Sequence, residues 1–287
     1  MTTGGTMILG YNTNGWAHHD LMDAIEILAE IGYQSIAITI DHHALNPRSP
    51  SLQEEISLVR ELLRRHRLLS CIETGARFLL DPRRKHEPSL LSPRAEERAR
   101  RLSFYYYAVD CAAALGSECV SIWSGKLSPE IEADVAWEWL RAALTDLLDY
   151  AAARGVRISF EPEPDMWIDR LEKYEELVER LGTNDLWLTV DIGHLQCQGE
   201  LPITEVLPRF AGRIANIHLE DMRRNHHEHL FFGEGEIDFR DVFRTLVRIR
   251  YSGPIHVELP LHSGQAPQIA RRAYEFLQNL LGEVLPS

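Results

Sequence analysis

A chain of 287 residues, 45% apolar and 25% charged, is composed like an ordinary globular protein, which excludes disordered, collagen-like and fibrous classes. The length lies a little above the roughly 250 residues typical of one (β/α)8 barrel, so a single domain over 1–287 is admissible. The net charge of −13 disfavours a sequence-independent grip on phosphate backbone, and nucleic acid is not the expected partner. In chain order, the first apolar run, MILGY at 7–11, precedes a helical pattern from Leu21 to Ile31 that stops at Gly32. The strand SIAITI at 35–40 precedes helical spacing over 50–68, carried by Leu52, Ile56, Val59, Leu62 and Leu63. Strand three at 68–73 leads through a Pro- and Arg-rich loop into a long helix reaching Leu115 and ended by Gly116. Strand four at 119–123 is followed by a helix over 132–154, and strand five at 156–160 by one over 168–181. Strand six at 186–191 runs through a GH-containing loop to a short helix near 203–210. Strand seven at 213–219 opens into a loop rich in His and Gly and a helix over 239–249, and strand eight at 255–258 precedes a last helix over 265–281.

About eight βα units in succession predict a closed (β/α)8 TIM barrel as one α/β domain. Strands such as IAITI show little alternation, as expected where both faces of a parallel sheet are covered. The rival layout, a doubly wound open sheet, usually carries a glycine fingerprint after its first strand. Here that turn reads NTNGW, without GxGxxG or a P-loop. Cys71, Cys111, Cys119 and Cys197 form no CxxC pair and read as reduced thiols. The N-terminal MTTGGTM lacks the regions of a signal peptide, and no apolar run approaches the roughly 20 residues that span a bilayer, so a cytoplasmic protein without membrane contact is expected.

Catalytic groups of such barrels sit at the carboxyl ends of the strands. Four consecutive strands end on an ionisable residue: ISFEPEP at Glu161, LTVDIGH at Asp191, ANIHLED at His218 and IHVELP at Glu258, each roughly one βα unit from the last. Neighbouring strands lie roughly 4.8 Å apart, so the four side chains can converge in the barrel mouth. Three carboxylates packed together repel one another unless a cation joins them, and an oxygen-rich set with one imidazole suits Mn²⁺, Mg²⁺ or Co²⁺, with Fe²⁺ or Zn²⁺ also compatible. The alternative is that each acid marks a strand end and caps the helix that follows.

The segments FEPEPDMW, VDIGH, NIHLED, EHLFFGEGEID and HVELP resemble the sugar phosphate isomerase/epimerase family of the xylose isomerase-like TIM barrel superfamily, most closely over 155–260. The resemblance implies one divalent cation held by Glu161, Asp191, His218 and Glu258, with Glu161 and Glu258 also serving as the acid/base pair. It implies a carbohydrate substrate, phosphorylated or not, and proton transfer at a carbon beside a carbonyl. A cation chelating the carbonyl and its adjacent hydroxyl stabilises the enediolate formed when that proton leaves. Return of a proton to the same carbon from the opposite face gives epimerisation. Return to the neighbouring carbon gives an aldose/ketose shift, and both outcomes stay open.

His194 matches a substrate-binding or ligand-supporting histidine of relatives, with helix capping as the alternative. Glu163 either meets a substrate hydroxyl or is a solvated loop carboxylate. Arg224 either reaches sugar oxygens or lies on the surface. His229 matches a histidine of relatives with one metal, although HxH at His227 and His229 also admits a second ion. Arg77, Arg83, Arg84, Lys85 and His86 cluster after strand three, where they could hold a phosphate or carboxylate; a solvated loop or a homo-oligomer contact is the alternative. Trp16, Trp123 and Trp167 either stack on a sugar ring or belong to the core. Rival activities on the same scaffold are a lyase, of the inosose dehydratase or C-glycoside-cleaving kind, and an abasic-site endonuclease. The endonuclease is opposed by Trp123, where such enzymes carry a histidine, and by the net charge. A sugar-binding protein without catalysis is opposed by the presence of both glutamates.

Overall fold

Strand segments that read as unbroken apolar runs are covered on both faces, and Ser35–Thr39 is buried at every position. The computed structural model describes residues 7–285. Eight parallel strands close a barrel: β1 (Ile8–Asn12), β2 (Ser35–Thr39), β3 (Leu69–Glu73), β4 (Cys119–Ile122), β5 (Arg157–Phe160), β6 (Leu186–Asp191), β7 (Ile214–Leu219) and β10 (Pro254–Val257), the last lying between β7 and β1. The expected TIM barrel is the observed fold. Two compact units make up the chain. Among the described residues, one takes in the chain up to Ala37, with Leu62–Leu69 and Leu188 onward; the other holds Ile38–Glu61 and Ser70–Trp187.

The helices are α1 (Leu21–Ile31), α2 (Leu52–His66), α3 (Ala95–Leu115), α4 (Ala133–Ala152), α5 (Leu171–Leu181), α6 (Ile192–Gln198), α7 (Ile203–Arg209), α8 (Phe239–Arg248) and α9 (Ala266–Val284). Helix α1 shows why boundaries fall where they do. Asp20 accepts from the Met22 N–H at its start, its buried residues Leu21, Ala24, Ile25, Leu28 and Ile31 follow helical spacing, and Gly32 in the left-handed region (φ 117°) donates to Leu28 and Ala29 to end it.

Two segments depart from expectation. The GH-containing stretch after β6 is not a loop but the first turn of α6, because the Asp191 side chain accepts from the His194 N–H at 2.8 Å and caps it. The His- and Gly-rich stretch after β7 folds into an antiparallel hairpin, β8 (Asp221–Arg223) and β9 (His226–Leu230). Its turn places Asn225 in the left-handed region (φ 61°), which Asn tolerates better than most residues.

Candidate metal centre

Strand periodicity sets this site. On β7, Asn216 and His218 share one face, with Glu220 next in the same series, and His256 on β10 forms a matching pair with Glu258, which directly follows that strand. His218 stands opposite His256 in the β7–β10 register and opposite Asp191 in the β6–β7 register. The second pairing depends on an irregularity. Leu188 pairs with Ile214, but Thr189 pairs with Asn216, so β7 gains a residue at that point. Without the shift Asp191 would face Ile217, on the opposite side of the sheet.

Asp191, His218 and Glu258 therefore meet, with ligand atoms all within 4.8 Å of one another. Glu258 Oε1 accepts from Asn14 Nδ2 at 2.6 Å. Its Oε2 lies 2.8 Å from His218 Nδ1, and among the described residues no hydrogen-bond donor reaches Asp191 Oδ2. Buried polar atoms left in this state are costly. A carboxylate pair and an imidazole aimed at one point form an oxygen-rich donor set, so these residues fit a divalent cation.

Behind the donors lies a polar chain. His218 Nε2 is 3.1 Å from Asn216 Nδ2, Asn216 Oδ1 is 2.7 Å from His256 Nδ1, and His256 Nε2 is 2.8 Å from Ser35 Oγ. Burial depresses the His256 pKa to about 3, so its ring is neutral near pH 7. Gly10 is required beside it, since a Cβ there would lie 2.3 Å from His256 Cδ2.

The electrostatics separate the acids. Burial opposes ionisation of Glu258, but His218 beside it, with His229 and His194 farther off, holds its carboxyl well below the usual range. For Asp191, burial is likewise outweighed, chiefly by His194. Glu220 goes the other way: complete burial, then the Asp191 carboxylate, raises its pKa well above the ordinary value. His194 is pushed down to about 4 by burial and by His227 and His229, against the pull of Asp191.

The remaining sequence candidates fall in different places. Glu161 directly follows β5, buried, and its N–H donates to the Ile122 carbonyl at 2.8 Å. Glu163 is half-buried, and its N–H donates to Ile168. His194 is buried with Nε2 3.5 Å from Asp191 Oδ2, and His229 is half-buried with Nδ1 3.9 Å from Glu220 Oε2. Arg224 lies exposed in the hairpin turn with its guanidinium against Gly199. Trp123 is core: Arg101 stacks 4.6 Å from its ring and the His86 ring meets it edge-on. Arg77 pairs with Asp41, and Arg84 with Asp81 and Glu97, so much of the loop's positive charge is neutralised internally. Arg101, fully buried, donates to the carbonyls of Thr74, His86 and Pro88 and holds the same loop.

Sequence reading missed Glu220 and the chain Asn216–His256–Ser35. For Asn216, Glu220 and His256 the signal was the strand period, each lying two residues from a candidate ligand, whereas Ser35, at the start of β2, carries no such signal. Asp221, the acid of HLED, is structural. It accepts from the N–H groups of Gly233, Gly235 and Ile237, which fixes the GEG turn.

Comparison with known proteins agrees with this architecture. A family model described as xylose isomerase-like TIM barrel matches residues 25–280. Inosose dehydratase of Clostridium botulinum is 29% identical over 151 residues, 47% of this chain and 49% of that protein. An uncharacterized protein of Methanocaldococcus jannaschii is 31% identical over 185 residues, 60% of this chain and 62% of its own length. The chain thus matches about half the length of the dehydratase. Among solved structures, D-allulose 3-epimerase from Methylomonas sp. superposes with a TM-score of 0.76 at 20% identity, covering 98% of this chain and 100% of that one. A zinc-containing IolI protein gives 0.76 at 18% identity over 98% and 100% of the two chains, a likeness that shows the fold. On the breadth of the family match, the chain belongs to the xylose isomerase-like TIM barrel family.

Proposed function

We propose that this chain is a divalent-metal-dependent carbohydrate isomerase or epimerase that moves a proton at a carbon beside a carbonyl. The observation carrying the proposal is the meeting of Asp191, His218 and Glu258, whose ligand atoms lie within 4.8 Å of one another, with the buried Asp191 Oδ2 lacking a hydrogen-bond donor among the described residues. Glu161, at the end of the strand that precedes β6 in the chain, is the fourth ligand in this reading. A divalent ion at these residues would neutralise negative charge developing on a carbonyl oxygen and its neighbouring hydroxyl. Mn²⁺, Mg²⁺ or Co²⁺ suits the oxygen-rich set, with Zn²⁺ supported by the ion bound in the IolI relative.

Glu258 accepts the carbon-bound proton in this reading, with Asn14 fixing one of its oxygens. Glu161 returns a proton from the other face. His194, neutral and buried, orients a substrate hydroxyl, with Glu163 and His229 as further contacts. The internal pairing of Arg77 and Arg84 favours an unphosphorylated sugar or polyol ketone. The chain acts as one barrel domain in the cytoplasm. Its cysteines are free and buried, and among the described residues no helix is long and apolar enough to cross a membrane.

A dehydratase is the second reading, favoured by the identity with inosose dehydratase. It uses the same proton abstraction, after which a β-hydroxyl leaves with a proton as water. Incubation in D₂O with ketoses and inososes tests both. Deuterium gain at the carbon beside the carbonyl without loss of water supports epimerisation or isomerisation, and loss of water supports elimination. Glu258→Gln should abolish exchange while retaining metal, because the amide keeps a ligating oxygen but accepts no proton at neutral pH. Exchange at the wild-type rate in Glu258→Gln would remove Glu258 from proton transfer.

A further inference from the structure

We propose that His86 is a substrate-binding residue: its Nε2 accepts a hydrogen bond from a hydroxyl of a neutral sugar or polyol, so the loop after β3 selects a hydroxyl where its arginines suggest an anion. The inference rests on the carbohydrate reading above, and its test separates the two.

Neighbours hold His86 from several sides. Its backbone N–H donates to the Arg77 carbonyl at 2.7 Å, and its carbonyl accepts from the guanidinium of the fully buried Arg101. Nδ1 is 2.7 Å from the Gly75 carbonyl, and the ring stands at 82° to that of Trp123, the residue directly after β4. The backbone lies in the left-handed region (φ 65°), a conformation that is costly for residues other than glycine and persists where the surroundings impose it. Pinned in this way, the imidazole has one polar atom to spare. On the half-buried ring, Nε2 has no partner among the described residues. Trp123 places it at the carboxyl ends of the barrel strands, where such folds bind their substrates.

The chemistry of that atom follows from what the other nitrogen does. A carbonyl oxygen only accepts, so the Gly75 carbonyl fixes the proton on Nδ1, and a neutral ring then carries a lone pair on Nε2. Holding an anion there would need the imidazolium, with a second N–H on Nε2. Burial opposes that state, and so do the charges of Lys85, Arg101 and Arg77; together they outweigh the Gly75 carbonyl and push the pKa down to about 4. Arg77 and Arg84 are meanwhile engaged by Asp41, Asp81 and Glu97. A lone-pair acceptor takes a hydroxyl and repels the oxygens of a phosphate or carboxylate.

The test uses the full chain loaded with Mg²⁺ and labelled with ¹⁵N-histidine, near pH 7. Without ligand, His86 should be neutral with its proton on Nδ1; a proton on Nε2, in the neutral ring or the imidazolium, overturns the proposal. Added myo-inositol or D-fructose should shift the Nε2 resonance, and inorganic phosphate should not. No shift with either polyol, or an equal shift with phosphate, also overturns it. Kinetics supply a second arm. His86→Asn keeps a donor in the place of Nδ1 and suits a left-handed backbone but removes Nε2, whereas His86→Gln keeps an acceptor near Nε2 and loses the Gly75 bond. For a ketose or inosose that exchanges deuterium in D₂O, His86→Asn should raise KM about 5–10-fold with kcat within about 2-fold, and His86→Gln should recover part of the affinity. A purely structural role predicts the reverse order of the two variants, and that order, or an unchanged KM in His86→Asn, refutes substrate contact. If no ketose or inosose exchanges while myo-inositol still shifts Nε2, the polyol site stands and the proton-transfer reading falls.

Discussion

Replacing Asn216 by Ala removes the middle of the chain running from Ser35 to His218, and the structure gives the size of the effect. Asn216 is 0% exposed, and each end of its amide meets an imidazole, His218 Nε2 at 3.1 Å and His256 Nδ1 at 2.7 Å. Truncation strands two buried ring nitrogens at about 1–3 kcal/mol each and leaves a small cavity worth about 1 kcal/mol more, so about 3–7 kcal/mol is expected. That is a large share of the roughly 5–15 kcal/mol that stabilises a typical domain. Chemical denaturation of the cation-free chain measures it.

Metal affinity gives a sharper test. For His218 to ligate through Nδ1, its proton must sit on Nε2 and be accepted from behind. With Asn216 Nδ2 facing His218, the proton falls instead on Nδ1, beside Glu258. Metal loading therefore requires the amide to turn over: Oδ1 then accepts from His218, Nδ2 donates to His256 Nδ1, and His256 donates to Ser35 Oγ. Asn216→Ala should weaken Mn²⁺ binding by about 10–100-fold, the usual cost of losing a group that supports a ligand. Asn216→Asp can accept the same proton and should retain most of the affinity. Calorimetric titration distinguishes them. Equal affinity in Asn216→Ala and wild type would refute the relay, and so would a His256 ring whose ¹⁵N shifts keep the same tautomer in the cation-free and loaded chain.

Gly193→Ala sets two effects against each other. Helix propensity in α6 favours Ala by about 1 kcal/mol, whereas a Cβ only 1.9 Å from the fully buried Glu220 carboxyl forces a displacement. Overpacking of this kind costs about 1–3 kcal/mol, so a lowered unfolding midpoint is expected, and a raised one would show that Glu220 can retract freely. A pH series probes His86, whose Nδ1 bonds the Gly75 carbonyl and whose pKa is depressed by burial from 6.5 to about 4. Below 6.5 the unfolded chain takes a proton that the folded chain does not. Stability should therefore fall as pH drops from 6.5 to 4 and level off below, by up to about 3 kcal/mol from this group. His86→Asn should flatten that part of the profile; an unchanged slope would assign the acid sensitivity elsewhere.

Helices and barrel strands were legible because their burial is one-sided or complete in a way composition records. Leu21–Ile31 and Leu186–Asp191 carry the expected bounds, since an Asp cap and a terminal Gly frame the first and a buried run ending in a carboxylate frames the second. The hairpin β8–β9 was not legible. Its second strand reads HHEHL and is exposed or half-buried throughout, so it has none of the apolar alternation that marks a strand, and pairing with Asp221–Arg223 alone defines it.

The site was legible at its ends and hidden in its middle for a related reason. Asp191, His218 and Glu258 break apolar strands and therefore stand out, but a residue such as Asn216 or His256 inside a strand reads as an irregularity in the core pattern. Nothing in LWLTVD or IANIHL announces that the pairing shifts by one residue at Leu188 and Thr189. Yet that shift turns Asp191 toward His218 instead of leaving it opposite Ile217. A strand pair in register throughout would keep every residue of the motif and still misdirect one donor. The motif therefore names the chemistry, whereas the bulge, with Gly10 and Gly193 clearing space for His256 and Glu220, lets the donors reach one another.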